Sequence, residues 1–138
     1  MKISLLFSAS VLLFVMSCNT IEEKEQTKKD NYENSKRSIE EQEKKSPVEF
    51  LTVSGNDKRN LLGQTVVKGL VHNHAKIVTY KDVDVKLFFY SKTGALLQED
   101  QEMVYENIAP GTTVNFKSKY FAPKGTDSIA MTVLSAKY

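Results

Sequence analysis

Few residues in this chain have the types and spacing that perform chemistry. The only histidines, His72 and His74, stand in the stretch H-N-H. On a β-strand, residues two apart share a face, so both imidazoles could address one metal ion. The remaining ligands would have to come from elsewhere, with Asp82 and Asp84 as candidates. Without such partners the pair reads as exposed loop residues around a turn-forming Asn73, the strand ending at Val71. Carboxylates are plentiful, yet nothing singles out a pair of the kind that hydrolyses glycosides. No serine sits in a G-x-S-x-G elbow, and there is no glycine-rich phosphate loop.

The one thiol, Cys18, cannot form an internal disulfide. It follows an apolar run and precedes a polar one. Residues 1–17 read M-K-I-S-L-L-F-S-A-S-V-L-L-F-V-M-S, one positive charge followed by 14 residues interrupted only by serines. That run is short of the roughly 20 residues that span a bilayer core. A charged start, an apolar middle and a small residue at the cut are the order of a secretory signal.

The stretch Val15-Met16-Ser17-Cys18 resembles the lipobox of bacterial lipoproteins. Val15 and Ser17 match the aliphatic and small positions, and Met16 is a looser fit at the variable one. The resemblance implies signal cleavage between Ser17 and Cys18 and lipidation of Cys18, anchoring the chain in a membrane through its acyl chains. Two or three such chains hold stably where one holds marginally, at about 0.8 kcal/mol per buried methylene. Asn19 stands where an aspartate retains lipoproteins at the inner membrane of well-studied two-membrane bacteria, which points to the outer membrane.

Residues 19–46 hold 8 acidic and 7 basic side chains; Ile21, Tyr32 and Ile39 are the only large apolar or aromatic residues among them. Such a segment cannot bury enough surface to offset its chain entropy, and the expectation over 18–46 is a lipidated cysteine followed by a charged flexible tether. The alternative is a partly helical stalk. Acid-before-base pairs four apart favour it: Glu25 with Lys29, Glu33 with Arg37, Glu40 with Lys44, Glu41 with Lys45.

Residues 47–138 carry a period of two. In D-V-D-V-K-L-F-F-Y, Val83, Val85, Leu87 and Phe89 share one face, and Asp82, Asp84 and Lys86 the other. Phe88 and Tyr90 then point outward, as cross-strand packing or as a candidate binding patch. The same alternation marks T-V-N-F-K-S-K-Y, S-I-A-M-T-V-L, Gln64 to Asn73 and Val48 to Ser54 as strands. Ser91-Lys92-Thr93-Gly94 predicts a hairpin turn, with an acidic return strand from Ala95 to Tyr105 suited to a solvated edge. The expectation is all-β: a small immunoglobulin-like antiparallel β-sandwich of six or seven short strands.

G-L-V-H-N, the strand ending Y-S-K-T-G and I-A-P-G-T-T-V-N-F together resemble the FxLYD-type domain of bacterial secreted and lipid-anchored proteins. Gly69, Val71, Asn73, Tyr90, Gly94, Pro110, Gly111 and Phe116 match its pattern; Leu87, Phe89 and Ser91 depart from it. The resemblance implies a small sandwich and a place on the cell envelope, with no known ligand or active site.

Near-neutral charge, 19 basic against 17 acidic residues, gives no footprint for nucleic acid. The expected protein is a lipid-anchored envelope module that binds or scaffolds, without enzymatic activity, metal or cofactor, its partner an envelope protein or glycan. The alternative is an envelope metal-binding protein or hydrolase using His72 and His74 with nearby carboxylates.

Overall fold

A computed structural model describes residues 19–138, with side chains from residue 24 onward. The expected signal peptide, the Ser17–Cys18 cut and the lipidation site lie outside the described residues.

Helix α1 spans Asn19–Lys45, where a flexible tether is the compositional expectation. Side chains 24–38 are exposed, so the segment builds no core of its own, but solvation does not forbid helix. Its 27 residues include neither glycine nor proline. Of the expected pairs, Glu40 and Lys44 close to 2.6 Å, and Lys44 and Lys45 complement the dipole in the last turn. The helix stops where Pro47 disfavours helical geometry in the preceding residue; Ser46 sits at φ −130°, ψ 62°. Among the described residues no helix is long and apolar enough to cross a membrane.

The compact unit runs from Lys36, not Pro47, to Tyr138, because the end of α1 is bonded into it. A short 3-10 turn covers Pro47–Phe50, where the alternation predicts a strand from Val48. Proline fixes the entry, and the Glu49 amide folds back onto the Ser46 carbonyl at 3.1 Å. Six strands follow: β1 (Leu51–Arg59), β2 (Thr65–Asn73), β3 (Lys81–Ser91), β4 (Leu96–Val104), β5 (Thr113–Tyr120) and β6 (Thr126–Lys137). They form two three-stranded antiparallel sheets, β1-β2-β5 and β4-β3-β6. This is an all-β sandwich.

Alternation sets its core. Val83, Val85, Leu87 and Phe89 of the central strand β3 are buried, facing Val67 and Val71 of the other central strand, β2. Two glycines make room between the sheets. A methyl group on Gly69 would fall inside the ring of Phe116, and one on Gly55 would strike Met131 and the β2 backbone. Strand β4 pairs only with β3 and carries the acidic run at the sheet edge. Its hairpin closes as the sequence predicts: Ser91 and Ala95 pair at 2.9 Å, and Gly94 has φ 81°.

Candidate binding surfaces

The register gives the sandwich two distinct ends. Leu51 pairs with Asn73 at one end of the β1-β2 ladder, and Arg59 pairs with Thr65 at the other. Helix α1 enters at the Leu51 end; the β1-β2 turn, residues 60–64, caps the opposite end.

At the helix-side end Asn73 is not an exposed turn residue but fully buried, and β2 runs through it. Its amide donates to the Val78 and Ile108 carbonyls at 2.9 and 2.8 Å, and its side-chain oxygen accepts the Ala75 amide at 2.8 Å. Its main chain pairs with Thr112 and Gly111 at 3.0 and 2.8 Å. One side chain therefore ties together the 74–80 and 105–112 loops. Beside it, the buried Glu43 carboxylate accepts the amides of Lys76, Ile77 and Val78 at 2.6, 3.0 and 2.9 Å. The Tyr80 hydroxyl donates to the Glu43 carbonyl at 2.7 Å. Burial, aided by the Glu43 charge, pushes the Tyr80 phenol up to about 12.

The two histidines do come together. His72 lies within β2, His74 just beyond it, and their rings meet edge-on with centroids 4.3 Å apart. Each is already engaged: His72 Nδ1 lies 2.8 Å from Thr113 Oγ1, and His74 Nε2 lies 2.9 Å from Thr52 Oγ1. The candidate co-ligand carboxylates are on the other sheet, where Asp82 pairs with Lys137 at 3.1 Å. Among the described residues no group of three or more metal-ligating side chains converges.

Phe88 and Tyr90 are half-buried on the outer face of β3, stacked at 6.4 Å and 24°. Lys86 lies 5.2 Å from the Phe88 ring centre while pairing with Glu99 at 2.6 Å. The Lys86 ammonium group thus lies over one side of the ring. Between the sheets, Tyr120 of β5 packs against the Val67, Leu87 and Phe89 cluster and donates to the Glu102 carboxylate of β4 at 2.7 Å. Burial first, and Glu102 second, hold its phenol above the usual range.

The outer face of β1-β2-β5 has a different character. Its cross-strand rows are Thr52–His72–Thr113, Ser54–Leu70–Asn115, Asn56–Lys68–Lys117 and Lys58–Val66–Lys119. Four lysines and no acid occupy these twelve positions. Two shallow adjoining depressions, about 600 and 470 Å³, share Asn56, Lys68 and Lys117; the larger reaches the strand edge, where Asp57 lines it beside Lys58 and Arg59. Chain-wide neutrality conceals this face. The lysines come together only through the β2-β5 pairing, between strands some fifty residues apart, so no local run announces them. Period two, applied to β1, β2 and β5 jointly, is the signal that could have found them.

No protein-family model matches the chain, and no curated protein or solved structure matches it significantly.

Proposed function

We propose that this chain is a lipid-anchored lipoprotein of a bacterial cell envelope, directed to the outer membrane, whose β-sandwich is a binding or scaffolding module and not an enzyme. The anchor rests on the lipobox resemblance around Cys18. The binding role rests on one observation: the outer face of β1-β2-β5 presents Lys58, Lys68, Lys117 and Lys119 without a single acid among its rows. Like charges held on one rigid sheet repel one another, and an anionic partner relieves that repulsion. The ligand class is therefore anionic, such as a phosphorylated envelope glycan or an acidic protein.

Two measurements test this. Metabolic labelling with a radioactive fatty acid should mark the wild type and not Cys18→Ala; label on the variant, or none on the wild type, refutes the anchor. Retention on a phosphate-bearing resin should fall with salt and be lost in the Lys68→Glu/Lys117→Glu double variant. Retention that survives this charge reversal refutes the face.

A further inference from the structure

The end of the sandwich opposite the α1 attachment combines exposed apolar side chains with positive charge that forms no ion pair among the described residues. Leu61 is fully exposed, and Leu62 and Phe121 are 80% and 76% exposed. The two leucines stand on a turn built to hold them out. The Asn60 side-chain oxygen accepts the amides of Leu62 and Gln64 at 3.0 and 2.9 Å, and its amide donates to Gln64 Oε1 at 3.1 Å. The main chain closes beneath them, Asn60 to Gln64 at 2.8 Å and Gly63 to Asn60 at 3.1 Å. A turn so bonded loses little freedom on binding.

Around this tip lie Lys58, Arg59 and Lys119 on the adjoining strand ends, and Lys92 and Lys124 on the neighbouring turns, all exposed. The turns share this end because Phe89 of β3 meets Tyr120 of β5 at 5.7 Å beneath them. Asp57 and Asp127 are the acids on the same strand ends, Glu102 and Asp100 face Tyr120 from β4, and none of the five cations forms an ion pair among the described residues. A pair of leucines projecting from a basic collar matches the layering of an anionic bilayer: headgroup phosphates at the level of the collar, acyl chains just below.

We propose that this end docks on an anionic phospholipid surface, with Leu61 and Leu62 entering the interface and the collar engaging headgroup phosphates. The tip shares Lys58 and Lys119 with the basic face described above, so the proposal rests on that reading's anionic ligand class and goes beyond it to a phospholipid surface, but it does not depend on lipidation of Cys18.

The chain contains no tryptophan, so Leu61→Trp supplies a single reporter. Among the described residues all the buried side chains lie from Glu43 to Val133, so a chain begun at Asn19 keeps every one of them and omits Cys18. With vesicles containing phosphatidylglycerol, its emission should move to shorter wavelength and be quenched by brominated acyl chains. Lys58→Gln and Arg59→Gln should each weaken partition about fivefold. Emission that remains that of a water-exposed indole overturns the proposal, as does an equal response with pure phosphatidylcholine. A response to polyglutamate with none to vesicles also overturns it and assigns the tip to an acidic protein. Fatty-acid labelling reads the anchor alone, so each reading can fail without the other.

Discussion

Glu43 and Tyr80 are bonded through the main chain of one and the side chain of the other: the Tyr80 hydroxyl donates to the Glu43 carbonyl at 2.7 Å. The same glutamate turns its carboxylate the other way, onto three consecutive amides at 76–78. The end of α1 is thereby fixed to the sandwich. Glu43→Ala leaves those amides without their acceptor and should cost about 2–4 kcal/mol. Chemical denaturation checks this, with Glu41→Ala, an exposed neighbour on the same helix, as the silent control.

Tyr80 carries an alkaline signature. Its phenol is raised from 10.0 to about 12, chiefly by burial and then by the charge of Glu43. A folded value above the unfolded one means that the neutral phenol stabilises the fold below pH 10 and that this contribution is lost as pH rises through about 12. Tyr80→Phe also removes a hydrogen bond, so it should be less stable by about 1 kcal/mol at neutral pH. The gap between the melting temperatures of wild type and variant should close over that alkaline window. A gap constant across it would contradict the burial of the phenol.

Asn73→Asp should be more damaging than its size suggests. The carbonyls of Val78 and Ile108 lose their donor and face a carboxylate instead. The expected loss is about 3 kcal/mol or more near neutral pH. It should shrink in acid, where the introduced carboxyl group is protonated and can donate once. Urea midpoints measured at two pH values read both effects.

Gly69→Ala places a methyl group where the Phe116 ring lies, and should cost about 1–3 kcal/mol by overpacking. Phe116→Leu removes the ring and loses burial of its own. Together the two should cost less than the sum of the singles, with a coupling of about 0.5–3 kcal/mol. Additive behaviour in a double-mutant cycle would show that the ring moves aside freely.

What the sequence makes legible is what depends on local repetition. Val83 to Phe89 bury because they alternate, and Gly94 turns because a left-handed residue is needed where it stands. The acidic strand β4 falls at an edge because its composition suits one. What escapes depends on distant partners. Nothing near Glu43 distinguishes it from the seven other acids of its segment; its role is set by amides more than thirty residues away. Asn73 looks like a turn-former because asparagine usually is one in a polar stretch. Only loops folding over the end of β2 turn it into a buried hub. The helix is visible as paired charges, yet a low apolar content argues against a core, not against helix.

Strand β1 joins the two ends of the sandwich. It begins one short turn beyond α1 and stops at the residue before the 60–64 turn, nine residues or about 30 Å of nearly extended chain. If the helix is held at one end and the leucine tip at the other, tension enters the sandwich through the Glu43 bonds to residues 76–78 and Tyr80 as well as through β1 at Leu51, and leaves at Arg59. The strand then acts as a taut cord, with little slack to give, because a fully extended residue spans barely more than a β-residue does. Pulling along it neither peels β1 from β2 nor prises the sheets apart. Load applied between those two points would run along β1 and fall on the β1–β2 ladder in shear, all nine of its residue pairs sharing it.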